Sequence, residues 1–173
     1  MNSHRELASS KYKYMRKRII PQELEQSATD RQGWLDLQQH ALVEVTSEHE
    51  AHPIEAAFKD AAQGEAGWKA SQPGKQTIRL LFDEPQTITR IKVLFEEKDR
   101  ERTQEFVLRW LPEGEQPYRE IVRQQYNFSP PHATTELEEY AVELHGVSAL
   151  ELSITPDIGG GNVCASLAQL RLR

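Results

Sequence analysis

Apolar and polar residues alternate along much of this chain, most regularly between positions 77 and 95. Every second residue is apolar in the segments 78–82 and 91–95. This period of two is typical of strands that bury one face. Between the two segments lies Asp83-Glu84-Pro85-Gln86, whose proline has no N–H to donate to a ladder. The pattern predicts two adjacent strands, joined by a turn at 83–86, at the centre of the fold.

Shorter alternating runs recur along the rest of the chain and are separated by residues typical of turns. They predict strands at 41–46, 104–110, 118–126, 140–144, 150–154 and 165–172, with a tight turn at His145-Gly146. The irregular stretch between the first strand and the central pair contains one helical candidate, 54–62. Short strands at regular intervals predict a single all-β domain, an antiparallel β-sandwich of about eight main strands.

The N-terminal region differs from the remainder in charge. Residues 1–20 contain six Lys or Arg against one Glu, although the chain of 173 residues has a net charge of -6. We expect 1–20 to be a basic flexible tail, ordered only by contacts with another chain, and 41–173 to be the sandwich. Between them, 21–40 is polar and helix-compatible. Its predicted anchors onto the sandwich are Leu24, Trp34, Leu35 and Leu37.

Composition also bounds the partners and the compartment. The acidic body argues against a nucleic-acid surface, so only the basic tail could supply phosphate contacts. The single cysteine, Cys164, excludes an intramolecular disulfide, and the N-terminus lacks the apolar run of a secretory signal. We therefore expect a cytoplasmic location, with Met15 as an alternative translation start. No run approaches the roughly 20 apolar residues of a membrane span, so we expect no membrane partner.

Three motifs are candidates for chemistry. His49-Glu50-Ala51-His52 contains metal-ligand types, but the proline after His52 disfavours one helical face, and a solvated loop is the better interpretation. The glycine-rich segment 157–162 precedes a predicted strand, whereas a phosphate loop precedes a helix, so we predict a flexible connection. Cys164 has no evident His partner and fits a buried structural thiol. The sequence thus predicts no catalytic residues, no metal and no cofactor.

Several segments together resemble the discoidin or coagulation-factor C-type domain. The resemblance is carried by Ile54-Glu55-Ala56-Ala57-Phe58, Gly67-Trp68-Lys69-Ala70-Ser71 and the central strands, and it covers roughly 42–172. It implies a galactose-binding-like jelly roll and a non-catalytic ligand-binding module, whose partner is a carbohydrate. The alternative is an intracellular protein-interaction scaffold, because no export signal is present. Calcium-binding members of the family use an acidic residue on the last strand, where this chain has Gln169, so we predict no tight calcium site even if Asp60 contributes.

Loop lengths predict where the ligand binds. In an antiparallel sandwich successive connections alternate between the two ends. The short connections 83–86, 111–117 and 145–148 then share one end, and the long ones, which include 96–103 and 127–138, share the other. Long loops commonly carry function. The predicted ligand-binding residues on them are Trp68, Arg100, Arg102, Asn127, Phe128, His132 and Asn162.

Two of these predicted site residues have an equally good alternative. Trp68 and Phe128 would either form an aromatic surface for a sugar face or a protein partner, or plug the end of the core. If they face the ligand, Trp68→Ala should weaken binding while the fold stays intact, and the same is expected of Arg102→Ala.

Overall fold

Eight β-strands make up most of the computed structural model, which describes residues 33–59 and 67–173. A short helix α1 (Leu37–His40) and a 3-10 helix (Ile54–Phe58) are the helical elements of the described chain. The strands are β1 (Ala41–Val45), β2 (Trp68–Pro73), β3 (Gln76–Glu96), β4 (Arg102–Pro112), β5 (Arg119–Phe128), β6 (Thr135–Thr155), β7 (Cys164–Leu167) and β8 (Gln169–Leu172). Their pairings are all antiparallel, as the alternating runs predict.

The centre of the fold is the pair of long strands β3 and β6, each of 21 residues. The prediction of two strands joined by a turn at 83–86 is wrong, because both segments belong to β3 and pair with β6 rather than with each other. The register shifts between Leu81↔Ala149 and Gln86↔Val147, and Pro85 lies within this irregularity. Its missing N–H therefore leaves no gap in the hydrogen bonds between β3 and β6. The predicted turn at His145-Gly146 likewise lies inside β6.

Both halves of β3 contribute to one hydrophobic core. Ile78 and Leu80 are buried in the first half, and Ile91 and Val93 in the second, so the shift in register also changes which alternate positions face inward. The first half pairs with β1 and the second with β8, while β6 links β3 to β4 and then β5. With the separate β2–β7 ladder, this arrangement is the predicted β-sandwich.

The described part of the N-terminal segment packs beside the last strand. The Leu35 amide donates to the Leu172 carbonyl at 2.8 Å, and Leu37 is buried in the core. Asp36 caps α1 by accepting from the Gln38 amide at 3.2 Å. The predicted basic tail and residues 21–32 lie outside the described residues. Among the described helices, none has the length and apolar character needed to cross a membrane.

Candidate functional site

Three connections lie together at one end of the sandwich, here called the loop end: 97–101, 129–134 and 156–163. The Glu97 amide donates to the Thr134 carbonyl at 2.8 Å, and the Ile158 amide donates to the Thr103 carbonyl at 2.9 Å. At the opposite, short-turn end, the Glu113 amide donates to the Gly146 carbonyl at 2.8 Å. The grouping of long connections that their lengths predict is therefore present for these three.

The loop end contains a cleft of about 740 Å³. One wall consists of the end of β3 and the loop after it, residues 94 and 96–100. The other consists of 162–164 and 166–168, and Lys69 of β2 adds to the lining. Among the described lining residues there is no aromatic side chain, and most of the side chains are charged or polar. The cleft therefore suits a polar ligand better than an apolar one.

Arg102 supports this cleft from inside the protein. Its Nε donates to Glu97 Oε2 at 2.8 Å, its Nη1 donates to Gln104 Oε1 at 2.9 Å and to the Pro156 carbonyl, and its guanidinium lies 4.8 Å from the centre of the Phe128 ring. Arg102 is only 5% exposed. The structure therefore places Arg102 in the interior rather than on the cleft lining, because β4 directs it inward in phase with its buried alternate residues.

Glu97 connects the buried Arg102 to the backbone of the loop 97–101. Its Oε1 accepts from the amides of Asp99 and Arg100 at 2.9 and 3.2 Å. Burial by itself would raise the pKa of Glu97, but the hydrogen bond from Arg102 and the two amides outweigh it and hold this pKa below its ordinary value. An ionised Glu97 thus fixes the loop that forms one wall of the cleft.

The two aromatic residues of the predicted site belong to the core. Trp68 and Phe128 are both 0% exposed. Trp68 begins β2 with its side chain on the same buried face as Ala70, and Phe128 packs edge-on against Tyr126 at 4.9 Å between ring centres. The structure therefore agrees with the alternative in which both side chains belong to the core, and neither presents an aromatic surface to the cleft.

Of the remaining predicted site residues, Arg100 and Asn162 line the cleft from opposite walls. Asn127 and His132 are exposed on or beside the 129–134 loop, but they do not line the cleft. Sequence reasoning missed Lys69, which contributes to the lining. A signal for it was present: Lys69 follows an inward-facing tryptophan, so strand alternation directs it outward.

The position of Asn162 depends on the glycine-rich segment before it. Asp157 Oδ1 accepts from the Gly159 amide at 2.8 Å, and Gly160 has a φ of +83°. A Cβ on Gly161 would lie 2.6 Å from Asp157 Oδ2, so a larger residue would displace this contact. The segment predicted as a flexible connection is therefore a turn built around Asp157, and it sets Asn162 at the cleft.

The positions considered for metals have other partners. Gln169 is buried and its Nε2 donates to the Lys59 carbonyl at 2.9 Å, which ties β8 to the loop after the 3-10 helix. Asp60 lies outside the described residues. His49 and His52 have ring centres 5.5 Å apart on a turn, where His49 Nδ1 accepts from the Ala51 amide. Within 33–59 and 67–173 no group of three or more His, Cys, Asp or Glu could hold a metal.

Comparisons with known proteins identify solved structures that have a similar fold. No protein-family model matches the sequence, and no curated protein does. A solved structure similar to this chain is the family 32 carbohydrate-binding module of NanJ from Clostridium perfringens in complex with galactose, at 14% identity and a TM-score of 0.54, covering 78% of this chain and 94% of that one. A second is a module from a family 31 glycoside hydrolase of the same organism, at 17% identity and a TM-score of 0.55, covering 80% and 93%.

Similar structures also include part of a much longer enzyme. A Ruminococcus gnavus family 29 fucosidase matches 78% of this chain but only 25% of its own length, at 9% identity and a TM-score of 0.54. Identities this low show the fold and do not by themselves assign a ligand to this chain. The chain has the discoidin, or galactose-binding-like, β-sandwich fold that the family 32 carbohydrate-binding modules share.

Proposed function

We propose that this protein is a non-catalytic carbohydrate-binding module whose ligand occupies the cleft at the loop end. The observation that carries the proposal is the cleft itself, a polar concavity lined by loop residues and by the adjoining residues of β2, β3 and β7. The similar structures support the ligand class. Modules of this fold have been solved with galactose, with 4,5-unsaturated mannuronic acid and with GalNAc-β-1,3-galactose.

The lining chemistry fits a saccharide. Sugar hydroxyls both donate and accept hydrogen bonds, and the cleft offers both kinds of partner. The Asn162 carboxamide supplies a donor and an acceptor, Arg100 supplies only donors, and Asp99 supplies acceptors. Because no described lining residue can stack on a sugar face, hydrogen bonds and charge carry the recognition.

The cleft is also held in shape before a ligand arrives. The buried Arg102–Glu97 pair fixes the loop amides of Asp99 and Arg100, and the Asp157 turn fixes the approach to Asn162. A wall that is already ordered loses less conformational entropy on binding, so a modest number of polar contacts suffices for measurable affinity.

A glycan array probed with the full chain, followed by calorimetric titration of the best ligand, tests this function. Asn162→Ala should weaken that ligand about tenfold, since one or two hydrogen bonds to a polar ligand are lost. Asn127→Ala is the matched control, because Asn127 lies at the same end, outside the cleft, and accepts from Thr103 Oγ1 at 2.7 Å. An array without any bound glycan, together with stoichiometric capture of a protein partner, would favour the interaction-scaffold alternative instead.

A further inference from the structure

The charged side chains of the cleft differ in whether they already have partners. Glu97 is occupied by Arg102 and two loop amides, and Lys98 Nζ lies 3.7 Å from Glu96 Oε2. Lys69 and Arg100 also line the cleft and are exposed. In the part of the chain that the structure describes, neither has a carboxylate oxygen within 4.0 Å of its cationic group. Among the described lining residues, the cleft therefore contains two positive charges without an ion-pair partner, against one such negative charge at Asp99.

Arg100 is unusual among the arginines of this acidic protein. Most of the described arginines pair with a carboxylate within 4.0 Å, namely Arg79, Arg90, Arg102, Arg109, Arg119 and Arg123. A guanidinium left unpaired on an exposed cleft wall is available to an anionic group from outside, which it can hold through two parallel hydrogen bonds.

The backbone beneath both cations is fixed. The Lys69 amide donates to the His52 carbonyl at 3.1 Å, and the Lys69 carbonyl accepts from the His49 amide at 2.8 Å. The Arg100 amide donates to Glu97. These hydrogen bonds fix the backbone of Lys69 on β2 and of Arg100 on the loop after β3, so both side chains extend from ordered positions on the lining.

We infer that the saccharide bound in this cleft is acidic, and that Lys69 and Arg100 together hold its carboxylate or sulfate group. The inference rests on the proposed function and deepens it by naming the ligand class. Asp99 lines the same cleft with an exposed carboxylate and opposes an anion, so it reduces the attraction without cancelling it. Neutral saccharides gain hydrogen bonds in the cleft but no charge pairing.

The test is calorimetric titration of the full chain with three oligosaccharides of matched length: a galacturonic acid tetramer, a sulfated galactose tetramer that contains no uronic acid, and a neutral galactose tetramer. The acidic probes should bind at least tenfold more tightly than the neutral one in 50 mM salt, and the difference should shrink at 300 mM. Comparison of the two acidic probes distinguishes the carboxylate from the sulfate as the favoured group.

Variants locate the effect in the cleft. Lys69→Ala and Arg100→Ala should each weaken the acidic probe about fivefold. Lys69→Ala should leave the neutral probe nearly unchanged, whereas Arg100→Ala should weaken the neutral probe less than the acidic one, because only hydrogen bonds to hydroxyls are lost there. Asp99→Asn should tighten the acidic probe, a gain that damage to the fold would not produce. Arg119→Ala, an exposed arginine at the short-turn end, is the matched control and should change neither probe. All variants keep the basic residues 1–20, so any attraction of the probe to that segment stays constant.

The outcomes separate this inference from the function on which it rests. A neutral tetramer bound as tightly as the acidic ones, with Asn162→Ala weakening it, overturns the acidic ligand and leaves carbohydrate binding in place. Acidic binding that is insensitive to Lys69→Ala and Arg100→Ala also overturns the inference. If no saccharide binds at all, both the inference and the proposed function are overturned.

Discussion

The two ends of the sandwich each contain an arginine–glutamate pair, and the pairs lie in different environments. At the loop end, the side chains of Arg102 and Glu97 are 1% and 14% exposed. At the short-turn end, those of Arg119 and Glu115 are 55% and 51% exposed. The same chemistry therefore has two consequences. The buried pair organises a binding loop and cannot lose a partner without leaving a charge in the interior, whereas the exposed pair is already solvated.

The largest expected effect follows from removing the buried cation. Arg102→Ala should reduce the free energy of unfolding by about 3–5 kcal/mol, because Glu97 would keep a desolvated charge without its partner. Arg119→Ala, the matched change at the other end, should cost less than about 1 kcal/mol. Urea denaturation of the two variants measures both. Equal losses in the two variants would show that burial does not distinguish the two pairs.

A second buried acid at the loop end should make stability depend on pH. Glu136 is 1% exposed; burial, and then the nearby Glu138, raise its pKa to about 7. The other polar groups facing it are Gln124 on β5, Gln104 and Arg102 on β4, and Tyr140 on β6. A carboxyl whose pKa is raised on folding stabilises the protein while protonated, and this contribution is lost as pH rises through about 7.

Denaturation at pH 5 and pH 8 measures that loss. The wild type should lose on the order of 2–3 kcal/mol between these values, and Glu136→Gln should show a nearly flat profile because it cannot ionise. Glu115→Gln at the short-turn end is the control and should retain the wild-type profile. A wild-type profile without a decrease over this range would mean that Glu136 ionises freely in the folded protein.

The smallest expected effect concerns a neutral contact near the cleft. Gln169→Ala removes the hydrogen bond to the Lys59 carbonyl and should lower the free energy of unfolding by about 1–2 kcal/mol, less than the ionic change at Arg102. Urea denaturation measures this loss.

Millimolar calcium should leave the melting temperature of the wild type unchanged, as expected where a carboxamide stands in place of a carboxylate. A rise in melting temperature at micromolar calcium would contradict this and point to ligands outside the described residues.

Much of the architecture followed from local patterns. The period-two runs predict the strands and the sandwich, since alternation arises from the geometry of a single strand. They did not distinguish one continuous strand with a shift in register from two strands with a turn at 83–86, because a proline indicates only a missing N–H donor. Whether that donor was needed depended on β6, some 60 residues away, because residues 82–85 of β3 have no paired residue on β6.

The site was predicted only in part, and two nearby arginines show why. Arg100 and Arg102 are indistinguishable by residue type, and loop lengths place both at the functional end. Extending the alternation of Phe106 and Gln104 back along β4 would have directed Arg102 inward. No local rule gives the depth of burial at that point, because it depends on Phe128, Pro156 and Glu97, which the fold brings together from three segments.

By itself, the sequence determined the strand periodicity, the all-β class and the end of the sandwich at which three long loops meet. Only the tertiary structure decided which side chains fill the core and which line the cleft. Trp68 and Lys69 are neighbours in the chain, yet one is fully buried and the other faces the cleft. Alternation assigns adjacent residues to opposite faces, but which face meets the core and which meets solvent depends on the layers that pack against the strand.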